Sequence, residues 1–352
     1  MIKINKLRLS YKNNFTLNIN RLTIKEGEIF SIIGPNGAGK TTLLNVLNLL
    51  EKPQQGQIKI FNKNILEQKN ALSFRRRIAH VFSRPYLFNN TVYKNVSVPL
   101  SLRREKYETR VDEILRLFKI FDLKNENALT LSQGQMHRVS LARAFVSNPE
   151  LILMDEPFIS LEKPYKESLM VEIRQIIKKR KITALFVSQE QDEVLRLADR
   201  IAVMKEGKIL EIGTPHQIFT KPAKKEVADF IGIETVAEGI IYKKQDNLCS
   251  VRVKNKVIEA ISEYNVMDTV FVLIRPEDVV FSKHKEKTSA RNSFKAKITN
   301  IEPYGLEYKI TFNCGFNMLA FITKQSIDEL GLKKKKKVYI SFKATAVHLI
   351  KR

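Results

Sequence analysis

Absences narrow this chain before any motif does. It has only two cysteines, Cys249 and Cys314, far apart and without metal-ligand spacing, which fits a reducing compartment and carries no zinc signal. No apolar run approaches the ~18–20 residues of a spanning helix, and residues 1–6 lead into an alternating strand pattern, not a signal-peptide core. The expectation is a protein that starts and stays in the cytosol. Sustained heptads are missing and each motif below occurs once, which sets aside long coiled coils and tandem arrays.

Acidic residues are also scarce, 37 against 61 Lys and Arg, for a formal charge of +24. Runs such as Lys178-Lys179-Arg180-Lys181 and Lys333-Lys334-Lys335-Lys336-Lys337 invite a nucleic-acid or anionic-membrane reading. Aromatics are not interleaved with them as in a stacking platform. The excess is spread along the whole chain among many Asn and Ile residues, so it reads as solvated charge and no nucleic-acid partner is expected.

What is present begins with Gly34-Pro35-Asn36-Gly37-Ala38-Gly39-Lys40-Thr41-Thr42, which meets G-x-x-x-x-G-K-[ST] in full. A buried, β-branched strand pattern over 28–33 precedes it and helical spacing follows. A phosphate chain needs that arrangement. Glycines let successive N–H groups turn inward, the helix start adds positive potential, Lys40 reaches the terminal phosphates and the Thr41 hydroxyl can ligate Mg²⁺.

With 352 residues and ~100–200 per domain, two domains are expected. Strand signals at 3–9, 28–33, 57–60, 78–82, 151–154, 184–188 and 201–205 alternate with helical patterns at 41–49, 105–118, 135–147, 166–179 and 191–198. That predicts an α/β domain with a mainly parallel sheet over 1–232. From about Glu234 the pattern shifts to short runs at 251–253, 270–274, 294–301 and 308–312, with one helical candidate at 326–330. A mainly β domain, a small OB-type barrel, is expected over 233–352.

Two more motifs complete the first domain. The apolar strand Leu151-Ile152-Leu153-Met154 ends in Asp155-Glu156-Pro157; in a phosphoryl-transfer site Asp155 would hold Mg²⁺, directly or through water, and Glu156 would polarise the attacking water, while a plain turn at a strand end is the alternative. Leu131-Ser132-Gln133-Gly134-Gln135 opens a helix; Ser132 and Gln135 form an S-x-x-Q capping box that needs no ligand, yet a helix start also suits a phosphate.

In this order the three motifs resemble those of the ATP-binding-cassette ATPases. The resemblance covers essentially all of 1–232 and implies a P-loop fold with a helical subdomain. It also implies that Ser132, Gln133, Gly134 and Gln135 of one subunit close over ATP held by the loop of a second. Tyr11, in Leu9-Ser10-Tyr11-Lys12, matches the aromatic that stacks on adenine. Residues 198–215 resemble the close of an importer-type cassette, and residues 86–96 the surface that grips a permease. An integral-membrane permease, an extracytoplasmic substrate-binding protein and a peripheral place on the cytoplasmic membrane face follow from the family.

The second domain looks like the anion-binding TOBE/Mop barrel of molybdate and tungstate importer ATPases, through Ile274-Arg275-Pro276-Glu277-Asp278, Ser289-Ala290-Arg291-Asn292, residues 320–323 and 342–348. By that likeness Ser289, Arg291, Asn292, Lys343 and Thr345 would bind the oxyanion. Arg291 and Lys343 supply charge, and the other three neutral donors, as a tetrahedral dianion requires. A surface loop plus an edge strand, with Lys343 and Thr345 on one side by period two, is the plainer alternative. Importers of sulfate, iron or polyamines carry similar barrels and stay open as substrates.

Three positions depart from the family pattern. Ser83 stands where a Mg²⁺- and water-touching glutamine is expected, Gln189 where a histidine faces the γ-phosphate, and Glu162 where the next loop has aspartate. Glu156 is retained as catalytic base, with Gln189 and Ser83 as the altered sensors. ATP binding should be ordinary and hydrolysis weak or conditional, since one lost electrostatic contact costs ~10²–10³ in rate. A homodimer is expected; pairing with a more typical cassette would let one site do most of the work. A cassette acting on ribosomes or DNA, or a regulatory module without turnover, are the competing classes.

Overall fold

The computed structural model describes residues 1–11, 15–67, 71–233, 235–286 and 288–352, so that Lys12 and Glu234 lie outside the described residues. They pack as two units, Met1–Ile218 and Phe219–Arg352. The division by packing falls ahead of the compositional one because Phe219 and Phe230 pack on a cluster of Ala228, Ile231, Ile233, Leu273 and Ile350, all in the second unit.

The first unit opens with β1 (Ile2–Ser10), β2 (Thr16–Ile24), β3 (Ile29–Ile33), α1 (Lys40–Leu47), β4 (Gln55–Ile60) and β5 (Lys63–Asn64). Next come α2 (Ala71–Arg75), β6 (Ile78–Val81), α3 (Val92–Ser101), α4 (Glu108–Leu117), α5 (Gln133–Val146) and β7 (Leu151–Asp155). It closes with α6 (Lys163–Lys179), β8 (Thr183–Val187), α7 (Gln191–Leu197), β9 (Arg200–Lys205), β10 (Lys208–Gly213) and α8 (Pro215–Thr220), which crosses the division.

Strands β3, β7 and β8 are buried at every residue, as continuous apolar runs in a parallel sheet should be. They lie in a six-stranded sheet of order β10-β9-β3-β8-β7-β6, parallel except for the edge strand β10. Not all strands join it. Half-exposed β1, with its alternating burial, pairs antiparallel with β2 and β4 in a separate four-stranded sheet of order β2-β1-β4-β5. Leu43, Leu44, Val46 and Leu47 of α1 share one core with Ile2 and Ile4 of β1, Ile58 and Ile60 of β4, and Phe30 and Ile32 of β3. The helix after the glycine loop is thus held between two sheets. This is a P-loop NTPase fold with a mixed sheet and a helical subdomain.

The second unit adds α9 (Lys225–Phe230), β11 (Thr235–Gln245), β12 (Leu248–Val253), β13 (Lys256–Ile261), β14 (Thr269–Ile274), β15 (Val280–Ser282) and β16 (Asn292–Tyr304). It ends with β17 (Glu307–Asn313), β18 (Asn317–Ile322), α10 (Lys324–Leu330), β19 (Lys337–Phe342) and β20 (Val347–Lys351). Two antiparallel sheets, β13-β12-β11-β14-β20 and β15-β19-β16-β17-β18, enclose one core that includes Val272, Phe281, Ile298, Phe312 and Phe342. The result is a curled antiparallel half-barrel of OB-like type. Lys336 of the lysine run caps α10, its Nζ donating to the carbonyls of Leu330 and Gly331 at 2.8 Å each. Among the described residues no helix is long and apolar enough to cross a membrane.

Candidate functional site

The loop over 34–39 runs from the buried end of β3 into α1. Space dictates one of its glycines and backbone conformation another. A Cβ on Gly34 would stand 2.0 Å from the Met204 carbonyl oxygen, and one on Gly39, at φ +98°, would stand 2.6 Å from Phe15 Cζ. Gly39 is the N-cap of α1 and no side chain caps that helix. Its first-turn N–H groups therefore lack intrahelical acceptors and offer partial positive charge to a ligand.

Lys40 is 6% exposed, and its Nζ donates to Gly34 O at 2.8 Å and Pro35 O at 3.0 Å. Burial lowers the pKa of its ammonium, with Glu156 and Asp155 opposing the fall. Thr41 Oγ1 donates to Asp155 Oδ2 at 2.8 Å, across from α1 to the end of β7. Asp155 is buried, which pushes its carboxyl pKa up against the Thr41 hydrogen bond.

Glu156 has φ +46°, directly ahead of Pro157. Left-handed backbone at a non-glycine residue costs about 1–3 kcal/mol and persists where the surroundings hold it. They do so here. Its N–H donates to Val187 O at 3.0 Å and its carboxylate accepts from Gln189 Nε2.

A cavity of about 420 Å³ is lined by Tyr11, Phe15, the loop from Asn36 through Thr42, and Glu156. Tyr11 is 38% exposed, its ring centroid 6.1 Å from that of Phe15, and its hydroxyl donates to Glu51. Desolvation, then the Glu51 contact, raises its pKa. Phe15 escaped the sequence reading. Its one signal was an aromatic on the far side of the turn that Tyr11 enters.

The structure thus gathers Tyr11, the loop, Asp155, Glu156 and Gln189. Ser83 is exposed just past β6, whose Val81 pairs with Met154 of β7, so it sits at the same end of the sheet without a hydrogen bond to Asp155 or Glu156 among the described residues. Ser132, Gln133, Gly134 and Gln135 are not among the residues lining the cavity. They start α5 in a complete capping box, Ser132 N donating to Gln135 Oε1 at 2.9 Å and Gln135 N to Ser132 Oγ at 3.3 Å.

Within the second unit a larger cavity, about 1110 Å³, is lined by Ser289, Lys343 and Thr345, together with Lys221, Arg275 and the carboxylates Glu263, Glu277, Asp278 and Glu286. Burial pushes the Asp278 carboxyl pKa up. Arg291 is exposed and is not part of this lining. Asn292 is only 1% exposed, and its amide is engaged on both sides: Oδ1 accepts from Glu259 N at 2.8 Å and Nδ2 donates to Glu259 O at 2.9 Å. It pins β13 of one sheet to β16 of the other, where sequence had offered it as an oxyanion donor.

Comparison with known proteins adds to this geometry. The family model for the ABC transporter matches residues 17–159, and that for the TOBE domain matches 288–349. The chain is 36% identical over 354 residues to the molybdate/tungstate import ATP-binding protein of Pyrococcus horikoshii, with 99% of each chain covered. It is 31% identical over 319 residues to the spermidine/putrescine import ATP-binding protein of Clostridioides difficile, covering 89% of this chain and 88% of that one. A solved dimeric ATP-binding cassette in a post-hydrolysis state, bound to ADP and Pi, matches with a TM-score of 0.57 and 28% identity over 61% of this chain and 99% of its own.

Proposed function

The chain belongs to the ATP-binding subunits of ABC transporters, and from that premise we propose that it energises import of an oxyanion, molybdate or tungstate, with its C-terminal unit sensing that oxyanion. As an importer ATPase it works in a cassette pair with a membrane permease. We place it peripherally on the cytoplasmic membrane face, in a system with an extracytoplasmic oxyanion-binding protein.

In the proposed cycle, Tyr11 and Phe15 receive the adenine while the loop N–H groups and Lys40 take the phosphates, Lys40 exchanging the carbonyls of Gly34 and Pro35 for phosphate oxygens. The Thr41 hydroxyl and Asp155 carboxylate form an oxygen-only donor pair, which fits Mg²⁺, an ion that keeps several waters and takes phosphate oxygens as its other ligands. When bound it neutralises charge developing on the transferred phosphoryl group. Glu156 orients and deprotonates the attacking water, and Gln189, hydrogen-bonded to Glu156, holds that carboxylate in place. Ser132, Gln133, Gly134 and Gln135 close over the ATP of the partner cassette. Ser83 cannot reach as far as the glutamine it replaces, which makes turnover slow or dependent on the permease.

The oxyanion reading is carried by the end-to-end likeness to the molybdate/tungstate relative. Ser289, Lys343 and Thr345 around one cavity support it. A second reading, a polyamine ligand, is favoured by the four carboxylates in the same lining. Calorimetric titration of the full chain with molybdate, tungstate, sulfate and spermidine separates them. Molybdate and tungstate should bind, and Lys343→Ala should weaken both by tenfold or more, the worth of a charge-assisted hydrogen bond of about 1.5–3 kcal/mol. Spermidine binding with silence toward the anions would replace the oxyanion by a polycation.

A further inference from the structure

Only Ser188, Gln189 and Glu190 separate the end of β8 from the start of α7. The side chain of Gln189 is exposed, so its direction depends on how firmly its own backbone is held. Ser188, 3% exposed, provides the hold. Its hydroxyl donates to Glu193 Oε2 at 2.6 Å and accepts from Glu190 N at 2.9 Å, closing the turn onto the first part of α7. Glu193 is also 3% exposed, and a buried carboxylate persists only when paired. Its partner comes from α6: Lys166 Nζ lies 2.5 Å from Glu193 Oε1 and 3.1 Å from Glu190 Oε2. Burial alone would lower the pKa of the Lys166 ammonium, but the bonds to Glu193 and Glu190 outweigh it and raise the value.

We propose that the Lys166–Glu193 ion pair, acting through the Ser188 hydroxyl, positions Gln189 against Glu156 and thereby sets the rate of ATP hydrolysis. This rests on the reading of Glu156 and Gln189 as the groups that handle the attacking water. Three elements then fix one side chain. The ion pair ties α6 to α7, the serine ties α7 to the end of β8, and Gln189 Nε2 donates from there to the Glu156 carboxylate. The backbone repeats the link, since Glu156 N donates to Val187 O. None of Ser188, Glu193 and Lys166 lines the nucleotide cavity, so they are positioning residues.

The test is steady-state ATP hydrolysis by the full chain carrying Glu193→Gln, Ser188→Ala or Gln189→Ala, and the two doubles that include Gln189→Ala. Misplacing a reacting group by about 1 Å costs up to ~10²-fold, so each of the first two variants should lose about tenfold in kcat with KM for ATP nearly unchanged. Ser188→Thr, which keeps the hydroxyl, should recover most of that loss. In the Gln189→Ala background neither substitution should cost anything further. Ser188→Ala removes a single hydroxyl and gives the answer if Glu193→Gln fails to fold. Losses that multiply with Gln189→Ala, or a folded Ser188→Ala with full kcat beside a slowed Gln189→Ala, would overturn the positioning role alone. Full kcat in Gln189→Ala would remove the catalytic reading of that glutamine, and this inference with it.

Discussion

The two cavities of this protein are built on opposite plans. The one in the first unit is built around one contiguous loop: a helix start without a side-chain cap, a glycine required by close approach to Met204, another by its left-handed backbone, and Lys40 and Thr41 directly after them. The one in the second unit is made of side chains of both charge signs, drawn from segments far apart in sequence, such as Lys221, Glu263 and Lys343. A site centred on one loop needs a contiguous run of residue types and suits one ligand chemistry. A site made of balanced charges has no such run, and small changes in its lining alter what it takes.

Ways to break that contrast differ in expected size. The largest is Lys40→Ala, which should lower hydrolysis by ~10²–10³, as removal of one preorganised charge contact does. A variant that turned over ATP at the parent rate would show that the loop is not where the phosphates sit. Next is Asn292→Ala, which leaves the partly buried N–H and C=O of Glu259 without their Asn292 partners and should cost about 1–3 kcal/mol. Thermal unfolding of the full chain should move down while molybdate affinity of the folded protein holds. Lost affinity at unchanged stability would instead return Asn292 to the cavity. A third concerns His80, whose Nδ1 meets Asn48 Nδ2 at 2.9 Å and ties β6 to the end of α1. Burial pushes its pKa from 6.5 down to about 4. The unfolded state takes up that proton first, so stability present above pH 6.5 is lost as pH falls toward 4. Denaturant melts across that window should slope downward toward acid, and His80→Gln should flatten the slope.

The parts legible in the sequence share a physical cause. Strands β3, β7 and β8 are buried on both faces and so appear as unbroken apolar runs, and Ser132 and Gln135 announce α5 through a local capping exchange. Other misses were avoidable. β2 alternates buried and exposed residues as β1 does, and α3 has a Thr91 N-cap that accepts from Lys94 N. Some features had no local signal at all. Asn292 bonds to a backbone 33 residues away, so its type suggests a donor while its partner stays hidden. Phe15 matters because Gly39 and Tyr11 approach it in space. The grip on Gln189 joins α6, α7 and the end of β8, and no spacing along the chain encodes that triangle.

The left-handed backbone at Glu156 has a consequence for how robust the molecule can be. A glycine there would adopt φ +46° without a Cβ penalty, and although it frees the unfolded chain somewhat, the relief of strain is the larger effect. Glu156→Gly should therefore withstand heat better than the parent while hydrolysing little ATP. The gap in melting temperature between the two chains would then measure what turnover demands of this fold at Glu156.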